Sequence, residues 1–193
     1  MNLYEEKILP FFIDLGCSSA PMMELREKLV PKATGQVLEV GTGSGTNLKF
    51  YDPSQVTKLY CLEPSAGMRA KAQKNLEHCK VPMEWLELPG EQIPLADNSI
   101  DTIVLTFTLC TIPYWRVALQ GMFRVLKPGG KLLFCEHGLS PNAAVQKWQN
   151  RLNSPWKKMC GGCNLNRPIV ELFGQVGFKV EEVERFYIDK APK

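Results

Sequence analysis

The sequence lacks the features that mark membrane and secreted proteins. In its 193 residues no apolar run approaches the roughly 18 residues that a membrane span needs. The first residues, Met-Asn-Leu-Tyr-Glu-Glu, carry acids where a secretory signal carries bases, so we expect no signal peptide. The apolar run 8–15 is interrupted by Pro10 and Asp14. Core packing is favoured for it, and peripheral contact with a membrane stays open.

A strong excess of charge of one sign is also lacking. Lys and Arg together number 23 and Asp and Glu number 20, which leaves a formal net charge of +3. A balance this small and this evenly spread argues against nucleic acid as a partner. We therefore expect a small-molecule partner and no nucleic acid.

The cysteines lack the pattern of a disulfide framework. Seven of them occur at irregular spacing, which is typical of a reducing, cytoplasmic protein. Cys160 and Cys163 have the spacing of half a zinc site, but no second pair exists, and His78 and His137 are isolated in sequence. The sequence therefore predicts no metal.

The length and the pattern of apolar runs indicate one α/β domain. Residues 1–35 are predicted to form one or two helices. After them, short β-rich runs alternate with helical patterns, which favours a mostly parallel sheet with helices on both faces. The predicted strands are 36–40, 58–63, 83–88, 101–107, 131–135 and 180–187, and the predicted helices are 66–79, 116–126, 143–159 and 169–176.

The first predicted strand leads directly into a glycine-rich loop, Gly41-Thr-Gly-Ser-Gly45. Glycines allow a tight turn and a close approach of the backbone to a ligand. Glu39, two residues earlier, is unfavourable beside a pyrophosphate but suits the ammonium and sulfonium of S-adenosylmethionine. Thr46 also stands where a dinucleotide fingerprint has its last glycine. Glu63, at the end of the second strand, has the spacing of an acid that accepts ribose hydroxyls.

Several motifs in order resemble those of class I S-adenosylmethionine-dependent methyltransferases. The nearest groups are the ubiquinone/menaquinone-biosynthesis C-methyltransferases and the animal alkyl-thiol methyltransferases, and two later motifs, 134–137 and 162–167, resemble the thiol branch. The motifs of the wider class are 39–45, Glu63, Gly90-Glu91, 101–104 and 124–130. The animal thiol enzymes carry an N-terminal membrane anchor that this sequence lacks, so membrane attachment is not transferred.

The resemblance implies a Rossmann-like fold, S-adenosylmethionine as cofactor and two parts of the chain. Residues 1–35 would be an N-terminal helical segment that covers the active site, and residues 36–193 the S-adenosylmethionine-binding domain. The family sheet ends in a seventh, antiparallel strand, which is expected to be missing here because the sequence stops soon after the sixth. The implied cofactor-binding residues are Glu39, Gly41, Gly43, Gly45, Glu63, Pro64, Met68, Gly90, Glu91, Gln92, Thr106 and Leu109.

The acceptor side is less specified by the sequence. His137 is a candidate general base, or else a structural histidine. Tyr4, Asn164 and Arg167 are candidate substrate residues, although Asn164 and Arg167 could instead cap the helix that begins near Pro168.

The resemblance implies an S-adenosylmethionine-dependent methyltransferase, with a thiol as the leading candidate for the methyl acceptor. The alternatives are a quinone-type or phospholipid substrate, or a methyltransferase scaffold that only binds. The sequence after Thr106 has no Asn-Pro-Pro-Tyr, which disfavours nucleobases. Glu39 and the missing sixth-position glycine disfavour a nicotinamide oxidoreductase.

Overall fold

The computed structural model describes residues 9–187. At its centre is a parallel sheet of five strands, which are β1 Gly35–Val40, β2 Val56–Leu62, β3 Met83–Leu86, β4 Ile100–Thr106 and β5 Leu126–Cys135. Their order in the sheet is β3-β2-β1-β4-β5. Every neighbouring pair is parallel. Successive strands are added outward from β1 on one side and from β4 on the other, so the crevice of the topological switch point lies between β1 and β4. The predicted Rossmann-like class is confirmed.

The helices lie close to the positions that the apolar spacing predicts. The N-terminal segment is broken after residue 17, as the polar stretch around Ser18 and Ser19 indicates, and Pro21 lies in the first turn of the second helix. Ser65 and Asn142 cap the third and fifth helices, because each side chain accepts a hydrogen bond from a backbone N–H in the first turn. The helices are α1 Leu9–Cys17, α2 Ala20–Leu29, α3 Ala66–Leu76, α4 Trp115–Val125, α5 Ala143–Met159 and α6 Ile169–Gly174.

The sheet buries both of its faces, which explains its nearly continuous apolar strands. Side chains alternate along β4: Ile103 and Leu105 enter one core, and Val104 enters the other. The first core also holds residues of α4 and α6, and the second holds the short turn 48–50. No helix within residues 9–187 is both long and apolar enough to cross a membrane.

Two predicted strands differ from the structure. The fifth begins at Leu126, directly after α4, because Pro128-Gly-Gly130 continues the strand through an irregular register with β4 instead of forming a separate turn. The predicted sixth strand, 180–187, is wrong, because this segment pairs with no strand in the described part of the chain. A β-rich sequence can form a strand only where a neighbouring strand is available for pairing. Residues 181–187 instead lie exposed.

Helix α5 docks on the domain through polar side chains. The Gln149 side chain donates to the carbonyls of Gly138 (3.0 Å) and Leu165 (2.9 Å), and Asn153 Oδ1 accepts from Leu165 N (2.8 Å). Its apolar side chains face outward instead. The exposed members of this outer face are Trp148, Leu152, Trp156 and Met159.

Helix α6 is held to β5 by aromatic packing. Phe173 is 1% exposed, and its ring centroid lies 4.8 Å from that of Phe134 and 5.9 Å from that of Phe178. We expect Phe173→Ala to lower the free energy of unfolding by about 3–5 kcal/mol, because it removes buried contacts and leaves a cavity. Phe186→Ala, at a half-exposed site, should change it by less than about 0.5 kcal/mol. Urea unfolding measures both, and equal losses would contradict the packing of α6 on β5.

Candidate active site

The glycine-rich loop closes tightly against the loop that follows β4. Gly41 and Gly43 have φ of 74° and 60°, a left-handed conformation that side chains other than glycine rarely adopt. A Cβ added at Gly41 would collide with the Thr108 side chain. The loops after β1 and β4 therefore meet at the topological switch point, where α/β sheets bind their ligands.

Glu63 joins the end of β2 to this loop. Its Oε2 accepts a hydrogen bond from Gly43 N (2.9 Å) and its Oε1 accepts one from Ser65 N (2.9 Å). The carboxyl is 7% exposed, and burial raises its pKa. Each oxygen keeps an acceptor position for a further donor. The structure thus brings together the glycines and the acid that the sequence predicts to act together.

The neighbouring predicted residues pack around this junction. The methyl group of Met68 lies 3.3 Å from the position of a Cβ on Gly43. The carbonyl of Pro64 accepts from Arg69 Nη1 (2.9 Å), and Gly45 N donates to Thr42 O (3.0 Å).

The predicted residues of the loop after β3 lie in two different places, one near the end of β1 and the other beside α4. Gly90 is buried, and its Cβ position lies 3.6 Å from Val40 at the end of β1. Glu91 Oε1 accepts from Tyr114 N (3.0 Å). Glu91 and Gln92 line an open groove of about 390 Å³ beside α4. Of this predicted group, Gly90 thus lies close to the end of β1, whereas Glu91 and Gln92 line the groove.

Glu39 and Thr106 belong to a buried polar network beneath the loop. Glu39 accepts from Asn47 Nδ2 (2.8 Å) and from the Tyr51 hydroxyl (2.9 Å), and burial raises its pKa to about 7. Arg26 Nη1 donates to Thr106 Oγ1 (2.7 Å) and to Asn47 Oδ1 (2.8 Å). The sequence placed Glu39 at the mouth of the loop, but its carboxylate points into this network. Sequence reasoning missed Arg26, Asn47 and Tyr51.

The first of the two N-terminal helices contacts the glycine loop, and the second contacts the network beneath it. Asp14 of α1 accepts from Ser44 Oγ (2.5 Å) and pairs with Lys74 (3.1 Å) on α3. Arg26 reaches in from α2 to the network just described. Tyr4, a predicted substrate residue, lies outside the described residues.

The loop after β4 is fixed by an acid that sequence reasoning did not single out. Glu136 Oε1 accepts from Thr108 N (2.6 Å) and Leu109 N (2.9 Å). Glu136 is partly buried, and removal of its carboxyl from water raises its pKa to about 7. Leu109, a predicted cofactor contact, is fully buried beside this carboxylate.

Asn164 and Arg167 hold the same loop from its other side. Asn164 Nδ2 donates to Cys110 O (2.9 Å), and Arg167 Nη1 donates to the carbonyls of Leu109 and Ile112. The alternative that they cap the helix near Pro168 is wrong, because no side chain caps α6.

His137, the predicted base, is paired with a cysteine. Its Nε2 lies 3.2 Å from Cys163 Sγ. Burial disfavours the charged imidazole, but the hydrogen bond with Cys163 and the negative charges of Cys163 and Glu136 together outweigh it and raise the pKa of His137. The pKa of Cys163 is lowered by hydrogen bonds with Cys110 and His137. Residues that lie far apart in sequence thus form one cluster.

Comparison with known proteins gives this geometry its context. A family model described as a methyltransferase domain matches residues 38–134. The human thiol S-methyltransferase TMT1B is 35% identical over 159 residues, 79% of this chain and 64% of that protein. The ubiquinone/menaquinone biosynthesis C-methyltransferase UbiE of Roseobacter denitrificans is 29% identical over 122 residues, 62% of this chain and 49% of that protein. The chain spans about half to two thirds of the length of these curated relatives.

A solved structure agrees in fold. The crystal structure of an S-adenosylmethionine-dependent methyltransferase from Methanosarcina mazei superposes with a TM-score of 0.60 at 17% identity, covering 82% of this chain and 85% of that one. At this identity the match establishes the shared architecture alone.

The buried Glu39 carboxyl predicts a pH dependence of stability. Arg26 and Tyr51 face it through the network, and Glu63 is a nearby acid. Its pKa is about 7 in the folded chain and 4.5 ordinarily. The folded chain therefore holds this proton more tightly, and the free energy of unfolding should fall by about 2–3 kcal/mol from about pH 5 to about pH 8.

Glu39→Gln should lose this component, because an amide does not titrate in this range. Urea unfolding of both proteins at the two pH values measures the difference, and the other acids, common to both, cancel. Parallel pH profiles would show that Glu39 is not responsible.

Proposed function

Because the chain belongs to the methyltransferase-domain family, we propose that it transfers the methyl group of S-adenosylmethionine to the sulfur of a small-molecule thiol. The observation that supports binding of S-adenosylmethionine is the hydrogen bond from Gly43 N to Glu63 Oε2. It joins an open glycine loop to a buried carboxylate at the ends of two neighbouring strands, which is the arrangement an adenosine ribose needs.

The residues present fit this cofactor. Glu63 would accept the ribose hydroxyls with the acceptor positions that Gly43 and Ser65 leave free. Met68 and Gly90 would pack near the adenine. Glu39 and Thr106 are positioning residues in this proposal, because their side chains hold the loop from beneath rather than reaching a ligand.

The chain's part in the reaction is orientation and exclusion of water. When bound, the cofactor supplies a methyl group on a sulfonium, which is activated for in-line displacement. α1 contacts the glycine loop through Asp14, and α2 contacts Asn47 and Thr106 beside it through Arg26. These contacts support the proposal that residues 1–35 cover the site and 36–193 form the binding domain. The number and spacing of the cysteines support a reducing, cytoplasmic setting, which stays a prediction.

A thiol acceptor must lose its proton before it attacks. With an ordinary pKa of about 8.5, only a few per cent of a thiol is ionised at neutral pH. The chain therefore needs a group that receives this proton or favours the thiolate. The sequence offers His137 as a base, and Cys163 already occupies its Nε2.

The choice of a thiol rests on the relatives. The human thiol S-methyltransferase matches at 35% identity over 79% of this chain, against 29% over 62% for the UbiE C-methyltransferase. Carbon methylation of a quinone-type ring is therefore the second candidate.

Glu63→Gln should weaken S-adenosylhomocysteine binding about 10-fold or more. The reason is that a charged acceptor of the ribose hydroxyls becomes a neutral amide. Calorimetric titration of the folded protein measures this loss, and S-adenosylmethionine should bind the wild type as well. Glu84→Gln, a surface acid on β3 paired with Lys58, is the matched control and should bind normally. Unchanged binding by Glu63→Gln would overturn the ribose assignment, and NADH binding with hydride transfer would indicate an oxidoreductase.

A methyl-transfer assay with a panel of acceptors tests the proposal that the acceptor is a thiol. We expect an isotope-labelled methyl group to appear on a small alkyl thiol, and not on a phenolic quinone precursor or on a phospholipid amine. Mass spectrometry of the products identifies the methylated atom. Label on carbon would favour the second candidate, and cofactor binding without any transfer would favour a protein that only binds.

A further inference from the structure

Three side chains with metal-binding atoms converge beside the proposed site. The ligand atoms of Cys110, His137 and Cys163 all lie within 4.8 Å of one another, and the His137 Nε2 to Cys163 Sγ distance is 3.2 Å. Cys110 is buried, and the other two are partly buried. They come from three separate segments: the loop after β4, the end of β5 and the loop between α5 and α6.

The convergence is fixed by hydrogen bonds to the backbone of each segment. Asn164 donates to Cys110 O from both its backbone N (3.0 Å) and its side chain (2.9 Å), which ties the two cysteine loops together. Glu136, next to His137, accepts from Thr108 N and Leu109 N. The three donors are therefore held together by the fold.

The donor set suits a thiophilic divalent cation. Two thiolates and one imidazole are the ligands that zinc prefers, and a tetrahedral ion holds its ligand atoms about 3–4 Å apart. The Trp156 Nε1–H group donates to Cys163 Sγ (3.3 Å). Hydrogen bonds of this kind to a ligating sulfur orient the ligand and tune the metal.

We propose that Cys110, His137 and Cys163 bind a zinc-like cation whose fourth coordination position takes the acceptor thiol. The metal site stands on the cluster itself, whereas the acceptor role rests on the proposed function. Within residues 9–187 the cluster offers three protein ligands and no fourth. Three protein ligands with an open position are typical of catalytic zinc, and four of structural zinc.

The location of the cluster agrees with that role. Cys110 lies two residues beyond Thr108, whose side chain packs against Gly41 of the cofactor loop. The acceptor thiol would bind the cation as a thiolate and release its proton to solvent. Its sulfur would form the new bond to the methyl carbon while the bond from that carbon to the sulfonium breaks, leaving the electron pair on the departing sulfur.

This assignment changes two expectations from the sequence. His137 becomes a ligand rather than a general base. Cys163 pairs with Cys110 and His137, and not with Cys160, although Cys160 has the spacing of a zinc pair. The prediction that the chain holds no metal is replaced by a site of three residues that lie far apart in sequence.

Cobalt titration tests the site without any cofactor or acceptor. The full chain, reduced and stripped with a chelator, is titrated with CoCl₂, and we expect thiolate-to-cobalt charge-transfer absorption and the visible bands of a tetrahedral ion. Zn²⁺ should then displace the cobalt. Cys110→Ala and Cys163→Ala should abolish this binding, whereas Cys160→Ala, on the same loop as Cys163, should keep it.

A further variant tests the metal site even if the cysteine variants fail to fold. Trp156→Phe removes only the N–H donor to Cys163 from a side chain that is 42% exposed. We expect it to weaken cobalt binding about 10-fold or more, while its circular dichroism stays that of the wild type.

The remaining outcomes test the metal site and the acceptor role separately. Absence of the cobalt bands in the folded wild type, or their loss in Cys160→Ala, would overturn the metal site. Addition of 2-mercaptoethanol should change the cobalt spectrum, and an unchanged spectrum would overturn the acceptor role. Failure of S-adenosylhomocysteine to bind, with cobalt bound normally, would count against the proposed function alone.

Discussion

Glu39 is buried at the end of β1 with both carboxylate oxygens hydrogen-bonded, one to Asn47 and one to Tyr51. A buried charge without partners would cost several kcal/mol, so this carboxylate requires its donors to stay in place. Asn47 lies just beyond the glycine loop and Tyr51 follows soon after it. The requirement to satisfy one acid therefore determines how the chain leaves β1, and with it the shape of the loop that faces the crevice.

The same network extends to the N-terminal helices. Arg26 donates to Asn47 and Thr106, and its guanidinium lies 5.1 Å from the centroid of the Phe107 ring. Phe107 itself has φ of 54°, a conformation that costs energy for a residue other than glycine and that is common where structure serves a site. One cation thus connects α2, the segment that follows the glycine loop and the end of β4, so these three parts of the chain respond to the same contacts.

The sheet and the glycine-rich loop can be predicted from the sequence, because both depend on local sequence patterns. Apolar strands, helix spacing and the glycines before a spaced acid predict the elements on which Gly43 and Glu63 meet. Arg26 and Thr106, 80 residues apart, cannot be paired in this way. The same holds for Cys110, His137 and Cys163, which converge only because β4 and β5 are neighbours and because Asn164 ties a later loop to them. The predicted sixth strand fails for a related reason, since pairing depends on a partner that local pattern does not specify.

Helix α5 draws little of its attachment from the hydrophobic effect, because its apolar side chains face outward and its contacts to the domain are amide hydrogen bonds. Such a segment opens at a lower free energy than the core strands, and its amide protons exchange sooner than theirs. Trp156 on this helix covers the sulfur of Cys163 through its N–H group. Cys163 is only partly buried, and transient opening of α5 exposes its sulfur further to solvent and oxidants. The lifetime of the thiol in its reduced form therefore depends on the stability of one helix as well as on that of the whole domain.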